Sequence, residues 1–339
     1  MSKKFTFIDL FAGIGGFHTA MHGVGGKCVF ASEWDKYARI SYEENYKDME
    51  PSLFAKDEEG NYLYFNEDVT QVIPEKIPAF DVCCGGFPCQ PFSIAGLRRG
   101  FEDTRGTLFF NIANIVKQKI DTGTPPKVLF LENVKGLKTH MKGDTLKTIL
   151  ATLEELGYAY NYDVLNAKYF GVPQNRERIY IVAFKNENHA NEFEFPVPVE
   201  LTQKLSDIID FDSKFDDKYY YTAGKYKRDI YEKLLEAIDD DKAIYQWRRT
   251  YVRKNKSGVV PTLTAGQGEG GHNVCIVKTK YGIRKMTPRE CFNAQGFSKD
   301  FKLPEKMSDS RLYKQSGNSV CVPVIKRIAE KIIQVIDNH

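Results

Sequence analysis

The segment Gly85-Gly86-Phe87-Pro88-Cys89-Gln90-Pro91-Phe92-Ser93 places one thiol between two prolines, directly after a short apolar run. Glycine and proline fix a loop here rather than a packed strand. Exposure near a helix N-terminus lowers a thiol's pKa from about 8.5 and raises its thiolate fraction. Cys89 therefore reads as a nucleophile. Cys83 and Cys84 lie inside the apolar run and read as core, and Cys28, Cys275, Cys291 and Cys321 carry no cue beyond packing. Glu132 follows the apolar run Lys127 to Leu131 and opens Glu132-Asn133-Val134. A carboxylate at the end of a buried strand exchanges a proton with a bound heterocycle, the more so when burial raises its pKa. From position alone, a capping or exposed carboxylate is the plainer alternative. Arg176 and Arg178 alternate along Gln174-Asn175-Arg176-Glu177-Arg178, so both would point at one anion or base; a solvated strand edge is the alternative.

Two further stretches suit ligands rather than bond making. Asp9 to Phe17 ends an apolar run in Gly13-Ile14-Gly15-Gly16, where backbone can approach a cofactor. The dinucleotide fingerprint needs a third glycine at position 18, which is His18, so a nicotinamide reading is weakened. Glu33 and Trp34 close the next apolar run, a carboxylate for a ribose diol and a flat surface for an adenine. A tight turn with no ligand explains the glycines about as well. Farther on, Lys242 to Lys256 holds Lys242, Arg248, Arg249, Arg253, Lys254 and Lys256 with no acid, interleaved with Tyr245, Trp247 and Tyr251. Such a mixture suits phosphate neutralisation with base contact, although a solvated charged face is the commoner cause. The glycine-rich loop Pro261 to Asn273 follows, bringing Thr262, Leu263 and Gln267; its His272 has no metal-ligand partners in the sequence.

These groups need a frame. Short apolar runs at Phe5–Leu10, Cys28–Ala31, Asp81–Cys84 and Lys127–Leu131 alternate with helical stretches, notably Leu108–Lys119 and Thr145–Leu156. That alternation predicts an α/β fold with a doubly wound, mostly parallel sheet, whose ligands gather at the carboxyl ends of the strands. The rhythm fails from about Asn186 to Lys278. The expected organisation is a catalytic and cofactor-binding domain over 1–190, a smaller recognition domain over 191–285, and a return segment over 286–339. Ile325, Ile328, Ala329, Ile332 and Ile336 would form the apolar face of a terminal helix packed on the first domain.

Of 339 residues, 48 are Lys or Arg and 45 are Asp or Glu, which leaves a net charge of +3. This excludes a globally basic nucleic-acid coat and an acidic disordered tail, but not a local basic stripe. Seven cysteines without framework spacing, no apolar run of membrane-spanning length and no signal-like N-terminus point to a reducing cytoplasm.

Taken in order, FIDLFAGIGGF, GGFPCQPFS, ENV, QNRERIY, PRECFNAQGF and QSGNSV resemble the DNA (cytosine-5)-methyltransferases, and among them the bacterial HhaI-type enzymes of restriction-modification systems. The resemblance spans nearly the whole chain except the second domain. It implies a methyltransferase fold, S-adenosylmethionine as cofactor, double-stranded DNA as substrate, and a flipped-out cytosine attacked at C6 by Cys89. Glu132 would engage the base, with Arg178 and Arg176 beside it. Phe11, Ile14, Gly16, Glu33, Trp34, Asp68, Val69, Pro88, Leu108, Asn318 and Val320 would line the cofactor pocket. Arg248, Arg249, Arg253, Lys254, Thr262, Leu263 and Gln267 would contact DNA, the Thr262-Leu263 pair matching a family pattern, with no metal involved. A monomer in a bacterial cytoplasm is implied, paired functionally but not in a stable complex with an endonuclease. Three alternatives stay open: the same chemistry on tRNA, although the Cys-Phe-Thr signature of that branch is missing; a nicotinamide oxidoreductase; and a catalytically silent DNA-binding module.

Overall fold

The computed structural model describes residues 5–88, 108–225, 229–248, 250–268 and 273–337. In chain order the elements are β1 (Phe5–Leu10), α1 (Gly16–His22), β2 (Gly26–Ser32), α2 (Lys36–Tyr46), β3 (Phe65–Asn66), β4 (Val82–Gly85), α3 (Leu108–Asp121), β5 (Val128–Val134), α4 (Asp144–Glu155), β6 (Ala159–Asn166), β7 (Gln174–Asn175), β8 (Glu177–Phe184) and α5 (Glu187–Glu192). They continue with α6 (Ile230–Ala237), β9 (Tyr245–Arg248), β10 (Tyr251–Lys254), β11 (Val260–Pro261), β12 (Cys275–Thr279), β13 (Gly282–Lys285), α7 (Pro288–Ala294), α8 (Asp309–Asn318) and α9 (Val322–Asp337).

Seven strands form one sheet in the order β3-β2-β1-β4-β5-β8-β6. β3, β2, β1, β4 and β5 run parallel, and β8 joins β5 antiparallel. Parallel strands are buried on both faces because crossover helices cover both, which is why these runs are continuously apolar rather than alternating. Every residue of β4 is buried, as is every residue of β5 except Val134. Ile8, Leu10, Cys83, Leu129 and Leu131 share one core with Phe109, Ile112 and Val116 of α3 and with Ile149 and Leu153 of α4. The α/β reading of the sequence is met, and the last helix shows the expected face: Ile325, Ile328, Ala329 and Ile332 are fully buried, while Ile336 is only partly so.

The chain divides into two compact units, one comprising 1–165, 177–197 and 324–339, the other 166–176 and 198–323. These boundaries differ from those read off the sequence. Only the last 16 residues return to the first unit, not the whole of 286–339. The cause is packing. Met286, Cys291, Ala294 and Tyr313 share a core with Ile208, Ile244, Val260, Leu263 and Val277, so α7 and α8 belong with the second unit. Residues 166–176 join it as well, because β7 pairs parallel with β11 and the Gln174 side chain donates to the Ala294 carbonyl at 2.7 Å.

Within the second unit, β10-β9-β12-β13 form an antiparallel sheet. Tyr245 and Trp247, read from the sequence as base-contacting aromatics, point instead into its core with Leu234, Ile276 and Ile283. Of that aromatic set Tyr251 alone is exposed. Helix α7 begins with a capping box in which Thr287 and Glu290 satisfy each other's backbone N–H groups. The same Glu290 carboxylate meets the fully buried Arg284 guanidinium at 2.7 and 2.8 Å.

Gly317 on α8 explains one glycine of QSGNSV. A Cβ there would fall 2.2 Å from the Thr264 carbonyl carbon and 2.4 Å from the Ala265 nitrogen, so only glycine lets this backbone approach the helix. Gly317→Ala is expected to destabilise the protein by about 3 kcal/mol through overpacking against backbone that cannot yield. Denaturant unfolding measures this, and an unchanged midpoint would contradict the close approach.

Candidate active site

The turn that leaves β1 is built from left-handed backbone at Phe11 (φ 57°), Gly13 (φ 56°) and Gly15 (φ 82°). Glycine adopts such angles without the steric penalty a side chain adds. The Glu33 carboxylate, at the end of β2, holds the turn from outside. One oxygen accepts the Gly13 N–H at 2.7 Å and the other accepts the Asp35 N–H at 2.7 Å. Burial pushes the Glu33 carboxyl above its ordinary pKa, while those two N–H donors pull it back. Arg39 donates to the Glu33 and Trp34 carbonyls at 3.1 and 3.0 Å and pairs with Glu67 at 2.7 Å, fixing the backbone on which both side chains sit.

The Trp34 indole is 76% exposed, an unusual state for so large an apolar ring. A Cβ on Gly13 would meet nothing within 4 Å, so there is open space beside the turn. Ile14, Gly16 and Val69 are buried, Phe11, Asp68 and Leu108 are half-buried, and Pro88 is exposed. Asp68 caps the short helical turn Val69–Gln71 through the Thr70 N–H. An uncovered flat ring, carboxylates at two strand ends and a glycine turn with room beside it fit a nucleoside-bearing cofactor. Asn318 and Val320 belong to the second unit, the first exposed and the second buried.

The catalytic candidates are set by β4, β5 and β8. Glu132 is 9% exposed and pairs with Arg178, whose Nε lies 3.0 Å from a carboxylate oxygen. The antiparallel register explains the meeting: Val134 stands opposite Arg178, and Glu132 lies two residues back on the same face of β5. Arg178 also donates to the Glu177 carbonyl at 2.8 Å. Cys89 lies outside the described residues. The loop that leads to it is held by a residue not singled out in the sequence: Asn133 Nδ2 donates to the Phe87 carbonyl at 2.8 Å, and Asn133 Oδ1 accepts the Val134 N–H. An amide after the carboxylate was the available signal, since it can satisfy a loop carbonyl and its own strand end together.

Arg176 has a different role from the one expected. Its guanidinium is buried and donates to the carbonyls of Leu263, Gly317 and Ser319 at 2.9, 3.0 and 2.7 Å. It thus ties the loop after β11 to the end of α8, inside the second unit, while Arg178 belongs to the first. Alternation along one strand does not apply, because the chain breaks between β7 and β8 at residue 176.

Several expected DNA contacts also change. Lys254 is paired with Asp239 at 2.8 Å and Asp240 at 3.3 Å, so the acidic stretch neutralises part of the basic window beside it. The Asp239 carboxyl is held down at about 2, first by Lys254 and then by the Tyr245 hydroxyl. Leu263 is core at 1% exposure, and Gln267 is buried against the Ser316 hydroxyl. Thr262 donates to the Asn175 carbonyl at 2.7 Å. Arg248 and Arg253 stay on one face of the β9–β10 hairpin, their guanidinium groups held by the Asn273 and Gln246 side-chain oxygens. Arg249 lies outside the described residues. Among the described residues no group of three metal-ligating side chains converges, and no helix is long and apolar enough to cross a membrane.

The family model described as C-5 cytosine-specific DNA methylase matches residues 5–334. The Type II methyltransferase M.Bsp6I of Bacillus sp. strain RFL6 is 50% identical over 327 residues, covering 96% of this chain and 97% of the relative. M.HpaII of Haemophilus parainfluenzae is 44% identical over 358 residues, covering 100% of this chain and 92% of the relative. M.HhaI of Haemophilus parahaemolyticus is 38% identical over 344 residues, covering 96% and 93%. Among solved structures, a mutant DNMT2 of Spodoptera frugiperda superposes with a TM-score of 0.69 at 20% identity, covering 97% of this chain and 99% of that one. The Entamoeba histolytica methyltransferase EhMeth gives 0.70 at 18%, covering 99% of each. At these identities the structures share the fold.

Asn133→Ala leaves the Phe87 carbonyl without its donor one residue before Pro88. Turnover is expected to fall between about tenfold and a hundredfold, because small displacements of a reacting group are costly. Steady-state kinetics checks this, and wild-type turnover would show that the loop is held by other means.

Proposed function

The chain belongs to the C-5 cytosine-specific DNA methylases and is a DNA methyltransferase, and from that premise we propose how its residues divide the reaction. Cytosine within a duplex hides C5 and C6, so the base is extruded at a cost of a few kcal/mol. The Cys89 thiolate adds to C6, breaking the C5=C6 π bond and moving its electron pair toward C5. The Glu132 carboxyl group accepts from the exocyclic amine and, carrying a proton, donates to N3, while Arg178 orients that group and offsets charge developing on the ring. S-adenosylmethionine, when bound, supplies an electrophilic methyl group for C5. Loss of the C5 proton to solvent and departure of the Cys89 thiolate then restore the double bond and the free enzyme. The Glu132–Arg178 pair carries this reading. A nearly buried carboxylate at a strand end, oriented by an arginine, is suited to hold an aromatic heterocycle rather than to cap a helix.

The cofactor reading is supported by the glycine turn, Glu33 and the uncovered Trp34. DNA phosphates and base edges are assigned to Arg248, Arg253 and Tyr251 on the exposed hairpin face, with Thr262 beyond it. By analogy with its relatives' names, the enzyme protects host DNA inside the bacterial cell as the modification half of a restriction system. It acts as a monomer and needs no stable complex with an endonuclease. Curated relatives at up to 50% identity are named as Type II methyltransferases, which favours DNA over tRNA.

Methyl transfer from labelled S-adenosylmethionine to mixed-sequence duplex DNA tests the proposal, and bisulfite sequencing of DNA from an expressing host locates the modified cytosine. Wild-type enzyme labels duplex DNA and Cys89→Ser labels none; label on tRNA alone would overturn the DNA assignment. Lys254 and the Tyr245 hydroxyl hold the Asp239 carboxyl down at about 2, so it stays charged beside Lys254 across the neutral range. Asp239→Asn with Asp240→Asn frees that lysine. DNA binding should tighten at low salt and its log–log salt slope should steepen by about one, as read by fluorescence anisotropy.

A further inference from the structure

Helix α2 is tied to the glycine turn at both ends. At its start Glu33 bridges the Gly13 and Asp35 N–H groups, and Asp35 caps the helix. At its other end the last residue, Tyr46, sends its hydroxyl back under the same turn. That hydroxyl donates to the Gly15 carbonyl at 2.6 Å and lies 3.3 Å from the Ile14 carbonyl. The Thr19 hydroxyl sits 2.6 Å from it, placed to donate in return. The Tyr46 ring fills the space beside Gly15, where a Cβ would fall 2.3 Å from its edge. Its face stacks on His18 at 3.9 Å and 15°, and His18 Nδ1 is 2.7 Å from the Tyr42 hydroxyl. All three rings are buried. Burial also drives the Tyr46 phenol far above its ordinary pKa, so it remains a neutral donor.

We propose that Tyr46 is a positioning residue for the cofactor: from beneath, its hydroxyl holds the Ile14–Gly15 segment, with Gly15 left-handed, in the course that the cofactor-facing side of the turn requires. This rests on the S-adenosylmethionine reading above. Glu33 fixes the turn at Gly13 and Tyr46 fixes it at Gly15, with α2 as the strut between. The fold itself does not need the hydroxyl, since the Gly15 carbonyl also accepts the Thr19 N–H at 2.9 Å. What the hydroxyl adds is restraint on a short backbone segment that glycine otherwise leaves loose.

Calorimetric titration of the purified full chain with S-adenosylhomocysteine, beside steady-state kinetics, tests this on Tyr46→Phe. The ring and its stacking are kept and one hydrogen bond is lost, so Kd for S-adenosylhomocysteine and KM for S-adenosylmethionine should each rise about fivefold to tenfold. At saturating cofactor, kcat should stay within about twofold, because the residue touches no reacting atom. Thr19→Val keeps the tether to Gly15 and should bind cofactor as the wild type does. A lowered melting temperature with unchanged Kd in Tyr46→Phe, or an equal loss in Thr19→Val, would overturn the proposal. A Tyr46→Phe chain that does not fold assigns the hydroxyl to folding and overturns it too. Wild-type protein that binds no S-adenosylhomocysteine would remove the cofactor reading, and this inference with it.

Discussion

A chain that leaves a buried parallel strand must reverse within a few residues to begin the helix that covers it. Here the reversal after β1 uses left-handed backbone at Phe11, Gly13 and Gly15. Phe11 has a side chain, and such a conformation costs it about 1–2 kcal/mol. It persists because its neighbours determine it: Ala12 N–H donates to the Ser32 carbonyl and Gly15 N–H to the Ala12 carbonyl, at 3.0 and 2.8 Å. Glu33 then takes the Gly13 N–H. The same reversal sets the carboxyl edge of the sheet, where Glu33, Trp34, Glu132 and the chain leading to Cys89 emerge. Helices on both faces leave that edge as the open side of a parallel sheet.

The second unit depends on a comparable gathering of backbone. Arg176 collects three carbonyls from two separate segments, and Gly317 removes the Cβ that would keep those segments apart. A planar guanidinium suits this, since its N–H groups diverge in a fixed fork and cannot be deprotonated. Lysine offers the charge without the fork. Two arginines separated by one residue thus divide between holding a fold and orienting a carboxylate.

What was legible in the sequence followed from periodicity. The apolar runs of the parallel sheet and the face of α9 are local patterns set by burial, and they appear where the residues place them. Position alone favoured a capping or exposed carboxylate at Glu132; its burial against Arg178 follows from the register of β5 and β8, which no local pattern gives. Nor were the unit boundaries legible, because they depend on Met286, Cys291 and Tyr313 packing against residues far earlier in the chain. The fate of Arg176 was not legible either, since a strict alternation assumes an unbroken strand. Tyr245 and Trp247 share one face of β9 and pack into the core, but Gln246 between them is buried as well, so alternation of polarity did not mark which face was inside.

The small net charge of the chain conceals a local arrangement with consequences for DNA. Asp239 and Asp240 pair with Lys254, and Asp241 pairs with Lys278, so these two lysines are engaged by carboxylates. The exposed hairpin face is left to arginine and tyrosine rather than lysine. Arg248 and Arg253 are each held by a side-chain amide oxygen from Asn273 and Gln246. A guanidinium already held in this way loses less rotamer freedom when a phosphate or a base edge takes its remaining N–H groups. Lysines on long, mobile stems would attract any polyanion; oriented forks favour a partner whose acceptors match their spacing, as the O6 and N7 of a guanine do. Acid–lysine pairing and held guanidinium groups thus share one hairpin, the arrangement on which the proposed DNA contacts of Arg248 and Arg253 would draw.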